Sequence, residues 1–273
     1  MTPTRCAIVT DAASDVPAAE RTLPDWVVLS DTWHPRGLEI VDAGEHSREL
    51  TNLAIVRRMP VVAPTVAAFT ETFDALADHE RVYSIHGSTR ISEAADNANA
   101  AAVGRDNVLV VEASVAGIGV GLLAVRVQQL VAEGHAPSSI DAYVQRHARS
   151  VQFLAVPDNM GTGGRRRLWA ASLLAGRRPI INTRGGELSL RRTASTRKAT
   201  LGIVERYFRE HAPEDRTIRL AIGHGDAAGA VDPLLDVLER IRPQATIELV
   251  GRVGPRLAQR LESRCVGVAW IVE

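Results

Sequence analysis

"VYSIHGSTRIS", residues Val82 to Ser92, decides how the chain is read. Val82, Tyr83 and Ile85 favour a strand, Gly87 breaks the run, and Ser88, Thr89 and Ser92 follow beside Arg90. A strand that ends in a glycine and a cluster of hydroxyls opens onto either a helix cap or a ligand. The next stretch, "ISEAADNANAAAVG", is Ala-rich and closes on Gly104, which predicts a helix beginning near Ile91. The reading is therefore strand, polar turn, helix.

The same unit recurs on either side. Strand-like runs occupy Ala7–Val9, Trp26–Leu29 and Val108–Val111. "PTVAAFTETFDALADH" places Val66, Phe69, Phe73 and Leu76 at helical spacing, and "GVGLLAVRVQQLVAEG" is a second apolar helix ending at Gly134. Strands alternating with helices of this length predict a parallel sheet with helices on its faces. The second half differs. Gly185 and Gly186 separate "PIINTR" from "ELSLRR", the signature of a hairpin. "RTIRLAIGHGD" and "ATIELVGRVG" read as strands around the helical window "AVDPLLDVLERI", and "VGVAWIVE" reads as a last strand. The fold class expected is α/β in two domains: a parallel-sheet domain over residues 1–150 and a smaller α+β domain over 151–273.

Charge narrows the function. Acidic and basic residues balance at 32 each, so no global field points to nucleic acid or a membrane surface. Residues 151–200 are the local exception, with a net charge of +8 that predicts a solvent-facing surface for a partner or phosphate. No apolar run reaches membrane-spanning length and no secretory leader is visible, so a cytoplasmic protein is expected. Cys6 and Cys265 have no metal-like spacing and read as buried free thiols.

Several clusters can carry chemistry. Thr10, Asp11 and Ser14 follow the first strand, where open α/β sheets bind ligands, although Asp and Ser also cap helices. Ser88 or Thr89 can cap a helix, hold an anion, or serve as a nucleophile with His86, two or three residues earlier, as base. Gly117, Gly119 and Gly121 lack the full dinucleotide spacing, and close helix packing explains them equally well. His224 and Asp226 lie side by side after a strand, in either a structural or a ligand-orienting role.

In their order, "AIVTDAASDVP", "APTVAAF", "SIHGSTRIS", "GIGVG", "GTGGRRRL…PIINTRGGEL" and "GVAW" resemble the DegV family of bacterial fatty-acid-binding proteins over almost the whole chain. The resemblance implies a long-chain fatty acid held between two domains, its carboxylate presented to a separate fatty acid kinase subunit. It implies a carrier that needs no cofactor or metal and performs no chemistry itself. The family's hydroxyl motif falls on Ser88, Thr89 and Ser92, with Glu93-Ala94 where Gly-Thr is usual. Its Thr-Ser before proline is Val61-Val62-Ala63-Pro64, leaving Thr65 as the nearest hydroxyl. Its Gly-Gly-Arg is Gly163, Gly164 and Arg165, and its C-terminal histidine and Gly-Pro-Gly fall on Arg260 and on Glu262, Ser263 and Arg264. The implied ligand-binding set is Ser88, Thr89, Ser92, Thr10, Asp11, Thr65, Arg165 and Arg260, with Arg260 facing the cleft in place of the histidine. The alternatives are another small acidic ligand at an altered or closed head-group site, an Arg260–Glu93 pair closing it, or a Ser/His hydrolase.

Overall fold

Burial on both faces explains why the first strand reads as a continuous apolar run. In the computed structural model, which describes residues 5–33, 40–42, 61–157, 177–261 and 264–273, β1 (Cys6–Asp11) is buried along its whole length. It pairs in parallel with β2 (Trp26–Leu29) on one side and β6 (Arg81–His86) on the other, and β6 pairs in parallel with β7 (Val108–Glu112). The sheet order is β2-β1-β6-β7. A second, antiparallel sheet of very short strands, β3 (Asp31–Trp33), β4 (Ile40–Asp42) and β5 (Val61–Val62), lies beside it in order β4-β3-β5.

Alternate residues of the parallel sheet feed different cores. Ala7, Val9 and Val82 pack with α1 (Val66–Ala75) and α2 (Ala94–Ala102) through Phe69, Phe73, Ala94 and Ala98. Ile8, Tyr83 and Ile85 face the other way, toward α3 (Ile118–Ala132) and α4 (Pro137–His147). Helix α3 is apolar on nearly every side because it lies between this sheet and the next, sharing one core with Ala221 and Ala269. A Cβ on Gly121 would stand 2.6 Å from the carbonyl oxygen of Ser14, so this glycine serves close packing.

The C-terminal domain is built on β8 (Gln152–Pro157), β9 (Arg178–Arg184), β10 (Glu187–Ala194), β11 (Ile218–His224), β12 (Thr246–Arg252) and β13 (Cys265–Val272). Their order is β10-β9-β8-β13-β11-β12, with β11 and β12 the parallel pair and the others antiparallel. The expected hairpin joins β9 to β10 through Gly185 and Gly186, both at positive φ. Helices α5 (Arg197–His211) and α6 (Val231–Ile241) cover the face away from the N-terminal domain, around Phe208, Leu238 and Trp270. The last helix, α7 (Pro255–Leu261), packs against the N-terminal domain.

Polar groups fasten the two domains where the apolar core ends. The Asp15 carboxylate accepts the Gly254 N–H at 3.0 Å, and Arg256 on α7 forms a two-pronged pair with Asp31 at 3.2 and 2.7 Å. The Glu273 carboxylate receives Arg126, Arg219 and the Tyr143 hydroxyl. Cys6 and Cys265 are buried and form no disulfide, and burial pushes the Cys6 thiol up to about 11. Among the described residues, no helix is long and apolar enough to cross a membrane.

Candidate functional site

Strand β6 ends at His86, and the chain then turns sharply. The Ser88 N–H bonds back to Val115 O at 3.0 Å, and the Ser88 carbonyl receives both Ile91 N at 2.9 Å and Ser92 N at 3.0 Å. This closed turn delays α2 to Ala94, three residues later than the periodicity predicts. The Ser92 hydroxyl accepts the Ala94 N–H at 3.2 Å, and the Thr89 N–H and hydroxyl both donate to one oxygen of Glu112, at 2.8 and 2.9 Å. The hydroxyls therefore order the turn, and their remaining lone pairs and surfaces border a cleft.

That cleft has a volume of about 410 Å³. Val61, Val62 and Ala63 supply an apolar wall, and residues 89–93 the polar floor. The opposite wall is α7, whose Arg256, Gln259 and Arg260 share one face through their three- and four-residue spacing. Arg260 donates to the Ile91 carbonyl at 3.0 Å, so its guanidinium lies over the hydroxyl turn. Burial pulls the Arg256 guanidinium down, but the Asp31 carboxylate more than offsets this and holds it above its ordinary range.

The residues expected at the site separate into groups. Thr89, Ser92 and Arg260 line the cleft together. Ser88 is buried beside it under the hairpin, since a Cβ on Gly186 would fall 2.1 Å from its hydroxyl. Thr10 is buried in the sheet and accepts the Trp26 indole N–H at 3.1 Å. Thr65 caps α1, accepting Ala68 N at 3.2 Å. Arg165, with Gly163, Gly164, Glu262 and Ser263, lies outside the described residues.

Pairing of Ser88 with His86 as its base is corrected. β6 is extended only to His86, so His86 shares its face with Ser84 rather than with the turn beyond Gly87. Its Nε2 meets the Ser84 hydroxyl at 2.7 Å and its Nδ1 meets Asp11 at 3.0 Å, occupying both ring nitrogens. Burial pushes the Asp11 carboxyl up, but His86 and then Arg256 more than offset it and hold it below the usual carboxylate range. Nδ1 accordingly donates to an ionised Asp11. His224 and Asp226 do not act on each other: the ring donates to Gly225 O at 2.7 Å, and Asp226 pairs with Arg252 at 3.2 Å. Among the described residues, no group of three or more His, Cys, Asp or Glu side chains is placed to hold a metal. Arg256 and Gln259 are the cleft residues that the motifs do not announce.

A sequence model described as "Uncharacterised protein, DegV family" matches residues 5–273. The chain belongs to the DegV family. A DegV family protein from Thermus thermophilus, described under the words fatty acid binding, superposes with a TM-score of 0.84 at 24% identity, covering 99% of this chain and 100% of that one. DegV from Bacillus subtilis, described as a fatty acid binding protein, gives 0.82 at 18% identity over 99% and 100% of the two chains. A DegV family protein from Eubacterium eligens loaded with heptadecanoic acid gives 0.82 at 15% identity over 98% and 100%. These likenesses establish the shared two-domain DegV fold. No curated protein matches the chain.

Proposed function

We propose that this DegV protein is a carrier for a long-chain fatty acid, with the carboxylate in the cleft between its domains. The observation that carries the reading is the convergence of Arg260, from the C-terminal domain, with Thr89 and Ser92, from the N-terminal domain, beside the apolar wall of Val61, Val62 and Ala63. Two other cleft arginines are engaged: Arg90 pairs with Glu187 at 2.9 Å and Arg256 with Asp31 at 2.7 Å. Arg260, whose guanidinium lies over the hydroxyl turn, offers a carboxylate a planar fork in the position of the family's histidine. An acyl chain adds about 0.8 kcal/mol per buried methylene, so the tail supplies affinity and the few polar groups orientation. The relatives named above, one of them loaded with heptadecanoic acid, support the same ligand class. Presentation of the carboxylate to a separate kinase subunit completes the reading. The exposed Arg191 and Arg192 on the edge strand β10 suit an acidic partner.

The experiment is a fatty-acid titration of wild type, Arg260→Ala and Glu93→Ala, with native mass spectrometry of the purified protein. A charge-assisted bond of about 1.5–3 kcal/mol predicts a loss of roughly ten- to 150-fold in Arg260→Ala. Because Glu93 lines the same cleft, a second reading holds that the head-group site is altered or closed. Binding that appears only in the two variants, or co-purification of a different small acid, favours that second reading.

A further inference from the structure

We infer that Glu112 competes with a bound carboxylate for the Thr89 hydroxyl and so sets how tightly the cleft holds its head group. The inference rests on the carrier reading and adds to it a residue that lies outside the ligand's space. The register of the parallel sheet sets Glu112, the last residue of β7, opposite His86, the last residue of β6, and so beside the turn that follows. From there one Glu112 oxygen accepts both the Thr89 N–H, at 2.8 Å, and the Thr89 hydroxyl, at 2.9 Å. Thr89 lines the cleft, whereas Glu112 does not. A carboxylate outside the cleft thus takes the proton of a hydroxyl on its wall.

A hydroxyl has one proton to donate, and a carboxylate accepts without donating. A ligand carboxylate can therefore receive Thr89 only if the O–H turns off Glu112, exchanging one charge-assisted bond for another. Such an exchange orients the head group but adds little net affinity, because the bond made is matched by the bond broken. Ser92 differs. Its hydroxyl accepts the Ala94 N–H at 3.2 Å, a role that uses a lone pair and not its proton. The Thr89 N–H can stay on Glu112 throughout, so the turn keeps its shape while the hydroxyl changes partner. A carrier that must surrender its ligand is served by such a contact: Glu112 takes the hydroxyl back as the carboxylate leaves.

The test is a calorimetric titration of palmitate into the full chain as wild type, Glu112→Ala, Thr89→Val and Glu112→Ala/Thr89→Val. Glu112→Ala should tighten binding about tenfold, the size of one charge-assisted hydrogen bond. Thr89→Val should remove that gain, so that the double variant binds no more than about twofold tighter than Thr89→Val alone. Glu112→Gln keeps an acceptor for the Thr89 N–H, but a neutral and weaker one, and should give a smaller gain in the same direction. A purely structural role for Glu112 predicts the reverse, weaker binding in both Glu112 variants, and that result overturns the inference. A gain that survives Thr89→Val also overturns it, since Glu112 would then act by charge repulsion and not through the hydroxyl. So does a gain in Glu112→Ala below about twofold. In each of these cases palmitate still binds and the carrier reading stands, whereas no binding by wild type or any variant overturns both.

Discussion

Replacing Arg256 with leucine tests whether α7 is held to the N-terminal domain by charge. The guanidinium makes two bonds to Asp31, at 3.2 and 2.7 Å, and both side chains are buried. Removing one member of such a pair strands the other charge in a low dielectric, at a cost of about 3–5 kcal/mol. For a chain of 273 residues, with about 2–4 °C of melting temperature per kcal/mol, the expected fall is roughly 6–20 °C. Arg256→Leu/Asp31→Leu should recover most of that loss, because replacing both ions with apolar groups is nearly neutral. The pH dependence has a definite sign. Arg256 is among the groups that hold the Asp11 carboxyl down, so its removal raises that pKa, and it takes two guanidinium bonds away from Asp31. The penalty of Arg256→Leu is then greatest at neutral pH and shrinks as pH falls toward 4 and the Asp11 carboxyl, no longer held as low, takes up its proton. Urea melts of the single and double variants between pH 4 and 8 measure both effects. A loss below about 1 kcal/mol, or a double variant no more stable than the single, would refute the argument.

The other predictions address separate features. Gly186→Ala sets a Cβ at 2.1 Å from the Ser88 hydroxyl at a φ of +80°, so it should cost at least the roughly 1–2 kcal/mol of left-handed backbone, and Ser88→Ala should restore part of it; no recovery in thermal melts of the double variant would show that the hairpin does not press on Ser88. Burial raises the Glu273 carboxyl, but Tyr143 and the two arginines outweigh it and hold it below its ordinary 4.5. Its stabilisation is therefore present above about pH 4.5 and lost as pH falls below it, and Glu273→Gln should flatten that acid limb in urea melts. Charge reversal at the exposed Arg192 should weaken an acidic partner with little change in melting temperature, whereas at Arg191, stacked 5.5 Å from the Tyr207 ring, it should also cost about 0.5–1 kcal/mol. A large loss of stability in Arg192→Glu would make the edge structural.

The parallel sheet was legible because β1 and β6 are buried on both faces and leave short β-favouring runs, the second broken off by Gly87. The hairpin was legible from two adjacent glycines, which alone relieve two successive left-handed positions. The sheet of β3, β4 and β5 was not, since strands of two or three residues carry no periodicity. At the cleft, the order of motifs brings out Thr89, Ser92 and Arg260, whose local contexts are distinctive. Arg256 escapes because its meaning lies in Asp31, 225 residues earlier, and "PRLAQRL" alone reads as an ordinary amphipathic helix. Thr10 and Asp11 show the converse. A polar pair at a strand end signals a ligand or a cap equally, and here the indole of Trp26 and the ring of His86 take those oxygens inside the fold.

Ser84, His86 and Asp11 stand in the relation of nucleophile, base and orienting acid, yet the surroundings deny them that chemistry. The chain of bonds, 2.7 Å and then 3.0 Å, has hydrolase-like geometry. Catalysis also requires room for an acyl carbon at the hydroxyl and donors about 3 Å from the developing oxyanion. Ser84 sits in mid-strand between Val9 and Val110, its backbone committed to the sheet, with no exposed surface. The Phe69 ring meets His86 edge-on at 5.0 Å and closes the same face. What remains is an electrostatic role. Asp11 carries a charge inside the sheet, and His86 satisfies one of its oxygens while Arg256 adds attraction from α7. Ser84 in turn occupies the second nitrogen of His86, so that the ring is not itself left unsatisfied. The triad-like row is therefore the inner end of the same charge cluster that seats α7, and α7 is the element that carries Arg260 into the cleft.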